Sequence, residues 1–161
     1  MNFGLSIILL ALSLFFSFST RAQDLMKEKI WKVTSKKRSL FLKDGVFFSG
    51  KKKIGSNLRA VRHRFDKKDD KERVVFDFST KEIPSIYGHI ASGEKKVYID
   101  FFNTGINPKI ASLGNSKYVD RVNFYPISND SLSIEIIFKN DVGLDVFFLE
   151  NPGRLVIDIK K

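Results

Sequence analysis

Arg59, Arg62, Arg64 and Arg73 crowd one short stretch of this sequence, and their type and spacing suit the capture of an anion. A planar guanidinium can hold a carboxylate through two parallel hydrogen bonds. In an extended segment Arg62 and Arg64 leave the same face, because side chains alternate with period two. The next segment, carrying Arg73 and Asp77, is expected to pair with it. These four arginines are the candidate ligand-binding residues. The competing reading is an internal salt bridge such as Arg62 to Asp77 on a solvated face.

The other reactive side chains do not assemble a catalytic set. His63 and His89 are the only histidines. A zinc hydrolase needs about three protein ligands and an open position. His63 shares a face with Val61 and Phe65 and reads as a core or core-edge residue, whereas His89 reads as exposed. Asp77, Asp100 and Asp158 fall on outward strand positions, as solvated or cross-strand-paired carboxylates. No nucleophile elbow marks a serine, and no glycine-rich loop offers a phosphate cradle. Cysteine is absent, which excludes a disulfide framework and thiolate metal sites. The expectation is a binding protein without catalytic residues, metal or cofactor, with a small hydrolase as the minor alternative.

Alternating apolar residues supply the elements that would position the arginines. Leu58–Phe65, Arg73–Ser79, Ile86–Ala91 and Lys96–Asn103 read as four strands. Asp66–Glu72 between the first two reads as a charged turn. Thr104–Lys117 reads as a connector, with a possible helical turn at Ile110–Leu113. Tyr118–Tyr125, Leu132–Lys139, Val142–Leu149 and Arg154–Ile159 read as four more strands. Asn151-Pro152-Gly153 reads as the last tight turn, with Gly153 free to take a positive φ. The two sets align at an offset of 58 residues. Ile99 and Asp100 then fall on Ile157 and Asp158, Val74, Phe76 and Phe78 on Leu132, Ile134 and Ile136, and Ile86 and Ile90 on Leu144 and Phe148. The fold expected is all-β: a sandwich of two small antiparallel sheets related by an internal repeat, two four-strand copies stacked with their apolar sides together.

Charge and hydropathy divide the chain of 161 residues into three. Phe3 to Phe18 is apolar, interrupted only by Gly and Ser, and is short for a membrane span. Small residues at Thr20 and Ala22 suit cleavage, so residues 1–22 read as a secretory signal peptide and the protein as exported, to the periplasm or cell envelope. The basic residues Arg21, Lys27 and Lys29 follow the apolar run rather than precede it, the pattern of an uncleaved anchor whose far side stays in the cytoplasm. Residues 23–53 form a basic arm. Between 24 and 53 stand ten Lys/Arg against three Asp/Glu, so the arm holds most of the formal charge of +10. Within it Asp44-Gly45, between apolar runs, predicts a hairpin. Lys36, Lys37, Arg38, Lys51, Lys52 and Lys53 could meet anionic lipid headgroups or envelope proteins, while Phe41, Phe47 and Phe48 could instead close one end of the core. Export argues against nucleic acid as the partner of this charge. Residues 54–161 form the nearly neutral folded domain.

The strand Arg73-Val74-Val75-Phe76-Asp77-Phe78-Ser79, with Val97-Tyr98-Ile99-Asp100 and Pro152-Gly153-Arg154-Leu155-Val156-Ile157-Asp158-Ile159, resembles the AMIN domain. That domain is the non-catalytic module of bacterial cell-wall amidases and some outer-membrane secretins. The resemblance covers about residues 57–160. It implies a pair of small sheets with internal pseudo-symmetry, binding to peptidoglycan, and placement of machinery in the envelope. No amidase domain or secretin barrel follows here, so a stand-alone exported module is expected. A subunit of an envelope secretion or pilus complex, binding by strand addition at a sheet edge, is the alternative.

Overall fold

The structure is a computed structural model that describes residues 29–49, 54–110, 113–128 and 130–161. The signal segment expected over 1–22, Lys51–Lys53 and part of the Ile110–Leu113 turn lie outside the described residues. In order the strands are β1 (Ile30–Lys32), β2 (Gly45–Ser49), β3 (Ser56–Asp66), β4 (Lys71–Phe78), β5 (Ile86–Ala91), β6 (Lys96–Phe102), β7 (Thr104–Ile106), β8 (Val119–Ser128), β9 (Ser131–Phe138), β10 (Gly143–Leu149) and β11 (Arg154–Lys160). They form a six-stranded sheet, ordered β1-β2-β5-β6-β9-β8, and a five-stranded sheet, ordered β10-β11-β4-β3-β7. The two sheets pack face to face as an all-β sandwich. All eight expected strands are present. Pairing is antiparallel except for the short strands β1 on β2 and β7 on β3, which makes both sheets mixed.

The alternation seen in the sequence builds the core. Val74, Phe76 and Phe78 of β4 and Leu132, Ile134, Ile136 and Phe138 of β9 are buried, with less buried residues between them. Across the sandwich Phe101 meets Phe76 and Phe78, with ring centroids 6.0 and 5.2 Å apart.

The repeat is arranged differently from two stacked units. Each copy gives one hairpin to each sheet: β3–β4 joins the five-stranded sheet and β5–β6 the six-stranded one, while β8–β9 and β10–β11 enter them the other way round. The registers agree with an approximate twofold. Val97 pairs with Ile136 and Ile99 with Ile134, as Leu155 pairs with Phe76 and Ile157 with Val74. The offset of 58 therefore holds for β5 on β10 and β6 on β11. It fails for β4, where Val74 corresponds to Ile134 rather than Leu132 and Glu72 takes the place of Leu132. The reason is an insertion between hairpins: Ile86 lies eight positions after Phe78, whereas Leu144 lies six after Phe138. Surface connections tolerate such changes. A register shift after Leu58 in β3 recurs after Val119 in β8.

Two turn expectations are corrected. Asp44-Gly45 does not close a hairpin. Gly45, at φ +119°, opens β2, which pairs with β5 on one side and with β1 on the other. A Cβ on Gly45 would strike the Lys29 carbonyl oxygen, which accepts the Val46 N–H. In the last turn the left-handed residue is Asn151 (φ 55°), not Gly153. Gly153 is instead needed for close approach, because a Cβ there would collide with the Glu82 carbonyl.

The N-terminal arm is built into the sandwich. Trp31, Val33, Leu42 and Phe47 are buried in its core. Phe47 lies over Gly88, its cross-strand partner, in space that a Cβ on Gly88 would occupy. Residues 34–42 then form a strap along the free edge of β10. Thr34 O accepts the Phe148 N–H at 3.0 Å, and Leu42 bridges to Leu144. Between these anchors the strap reaches the outer face of β10 and β11, where the Ser39 N–H donates to Asp145 Oδ2 at 3.0 Å.

Candidate anion-binding site

The outer face of the five-stranded sheet gathers three of the four arginines. Arg64 of β3 stands directly opposite Arg73 of β4, and Arg62 lies two residues along β3 on the same face. Arg59 is the extra residue at the register shift and has no partner position in β4. The four therefore do not act as one set.

Arg62 makes the internal salt bridge named above: its Nε and Nη2 donate to Asp77 at 2.6 and 2.7 Å. That pairing raises the pKa of Arg62 further. Arg73 is held in the same bidentate way by Asp158, at 2.6 and 2.9 Å, and its ring-facing side lies over Phe147, 5.5 Å from the centroid. Arg64 is left with no partner among the described residues.

Asp158 was expected to be solvated or paired across strands. It is paired, but it is also wholly buried, because the strap covers it. Lys37 of the strap places Nζ 2.9 Å from Asp158 Oδ2, and Lys71 lies 3.8 Å away. Burial alone would push the Asp158 carboxyl up. The hydrogen bonds from Arg73 and Lys37 outweigh this and hold it below its usual range.

The result is an open cleft of about 230 Å³ lined by Arg64, Asp66, Lys71 and Arg73. Its lining carries three cations against one carboxylate. Like charges directly opposite on a sheet repel, and here Asp158 neutralises Arg73 from beneath. Arg64 remains as a free two-pronged donor over a positive floor, which suits a carboxylate or phosphate oxygen pair. Lys71 falls in the stretch expected to be a charged turn; it belongs instead to β4, two residues before Arg73 on the same face. Lys37 was not legible as a member, because nothing local to the strap points to Asp158.

The histidines stand apart from this cleft's chemistry. His63 is at the core edge, with Nδ1 2.9 Å from Oε1 of the buried Glu72. Glu72 also accepts the Tyr118 N–H at 2.7 Å and the Ser116 hydroxyl at 2.9 Å. It was read as part of a turn, but it is an inward residue of β4 that ties the connector to the core. His89 is half-buried between Val46 and Tyr98 rather than exposed. Among the described residues no three His, Asp or Glu side chains stand together as metal ligands.

No protein-family model, curated protein or solved structure matches the chain.

Proposed function

We propose that this protein is a non-catalytic binding module of the cell envelope that holds peptidoglycan through its peptide carboxylates. The observation that carries the reading is the Arg64 guanidinium, without a partner among the described residues, in a cleft it shares with Lys71 and with Arg73, which Asp158 holds. An apolar N-terminal run of export type and the AMIN resemblance agree with it. The module would serve to localise or scaffold envelope machinery, with no reaction of its own.

The test is cosedimentation with purified sacculi at low salt. The protein is expected in the pellet. Removing one charge-assisted contact by Arg64→Ala is expected to weaken binding about tenfold or more. Recovery of the wild type in the supernatant overturns the reading.

One observation favours a second reading as an interaction subunit of a secretion or pilus complex. β8 forms an edge of the six-stranded sheet over ten residues, open to strand addition. Crosslinking in cells that captures a single protein, equally in wild type and Arg64→Ala, would support this alternative.

A further inference from the structure

The approximate twofold makes the two outer faces comparable residue by residue, and they have diverged. On the five-stranded sheet the row across the strands is Asp145, Asp158, Arg73 and Arg64. The corresponding row on the six-stranded sheet is Tyr87, Asp100, Ser133 and Tyr125, extended by Phe48 on β2. Only the aspartate persists. Around it Asp145 and Arg64 correspond to tyrosines and Arg73 to a serine.

The two aspartates are in different states. Asp158 is buried and receives Lys37 from the strap. Asp100 is half-exposed, and the Ser133 hydroxyl donates to it at 2.6 Å. Tyr87 lies directly across from it, and Tyr98 and Phe102 flank it two residues either side on β6. Tyr87 and Phe102 are 45% and 43% exposed, more than packing requires. A carboxylate ringed by outward-facing aromatics is a receptor for a cation. The aromatic faces attract an ammonium or guanidinium, and the carboxylate supplies the counter-charge. Lys96, on the same face, already sits 6.0 Å from the Tyr98 ring, but it is bound to Glu135 at 2.9 Å.

We infer that the outer face of β5, β6 and β9 binds a segment of a partner protein, with one of its Lys or Arg side chains seated on Asp100 between Tyr87, Tyr98 and Phe102. The molecule contains its own template. The strap, bent at Ser35-Lys36 and left-handed at Ser39 (φ 58°), lies on the matching face of the other sheet with Lys37 on Asp158 and the Ser39 N–H on Asp145. Charge decides the occupant: the half-exposed carboxylate disfavours an anionic bilayer and calls for a cation. This surface lies on the opposite side of the sandwich from the Arg64 cleft and takes the opposite charge, so the failure of either assignment leaves the other standing.

The experiment is fluorescence polarisation on the full chain with two labelled peptides, Thr-Lys-Thr-Lys-Thr-Lys-Thr and the same peptide with Gln for Lys. The Lys peptide is expected to bind and the Gln peptide not. Asp100→Asn, which keeps the Ser133 hydrogen bond, is expected to weaken binding about tenfold. Phe102→Ala and Tyr87→Ala are expected to weaken it about threefold or more. Asp120→Asn, which removes an exposed acid elsewhere, is expected to leave it unchanged. Should Asp100→Asn melt early, Tyr87→Ala provides the readout. The inference is overturned if the Lys peptide does not bind, if Asp120→Asn weakens it as much as Asp100→Asn, or if a neutral N-acetylglucosamine oligomer binds in a Tyr87-dependent way instead. Sedimentation of the wild type as a dimer that Tyr87→Ala dissociates would assign the face to self-association and also overturn it.

Discussion

Glu72 and Asp158 are the two side chains on which the acid stability of this molecule turns. Burial opposes the charge on each. For Glu72 the Tyr118 N–H, the Ser116 hydroxyl and His63 prevail, and for Asp158 Arg73 and Lys37 prevail. Both carboxyls are thus held below their usual values, 4.5 and 3.8. A lowered folded pKa contributes stability that is complete above the unfolded value and is lost as pH falls through the folded one. The free energy of unfolding in urea should therefore be level near neutrality and decline through and below the ordinary carboxylate range. Glu72→Gln should flatten part of that decline. Glu72→Ala should cost about 3 kcal/mol at neutral pH, because it strands buried donors, and denaturant midpoints will measure it. Arg64→Ala should leave stability within about 0.5 kcal/mol of wild type, since Arg64 supports nothing in the fold and is available to a ligand.

Among the elements, β2 and the strap make the arm part of the domain. Phe47 is fully buried and fills the space above Gly88. Phe47→Ala should cost about 3–5 kcal/mol. Gly88→Ala should also destabilise, by forcing the ring away; thermal melts of the two variants compare a cavity with a clash at one site. The strap depends on fewer contacts. Lys37 is a third exposed, so its bridge to Asp158 is screened by solvent, and Lys37→Ala should lower stability by no more than about 1 kcal/mol. It should nevertheless loosen the strap locally, seen as faster hydrogen exchange at the Ser39 amide, which Asp145 now holds.

At the scale of the whole molecule, the two copies interlock, so neither half is expected to fold by itself. In each sheet the two copies meet at one strand pair, one strand from each: β6 with β9, and β11 with β4. Removing the arm should be nearly as damaging, because Trp31, Val33, Leu42 and Phe47 leave the core together. A chain of residues 54–161 should lack a cooperative thermal transition that the chain including residues 29–49 shows. Differential scanning calorimetry makes the comparison.

The sequence by itself determined the eight longer strands of the two copies, their inward faces and the duplication, because period-two alternation is a local property and both copies carry it; the three-residue strands β1 and β7 are too short to show it. It also sufficed to foresee the Arg62–Asp77 bridge, since neighbouring strands joined by a short turn must pair. It did not reveal which sheet each hairpin enters: the same inward faces are buried whether the copies stack or interlock, and only tertiary packing chooses. The insertion between β4 and β5 hid the true correspondence of Glu72 with Leu132, and so hid a buried carboxylate among apolar mates. Whether the arm docks was open in the sequence, because charge dominates its composition and only some of its apolar residues, Trp31, Val33, Leu42 and Phe47, enter the core while Ile30, Leu40 and Phe48 stay exposed. The separation of Arg64 from Arg62 and Arg73 was likewise a tertiary decision. All three leave one face, and among the described residues Arg64 is the one that no carboxylate pairs with, although Asp66 lines the same cleft.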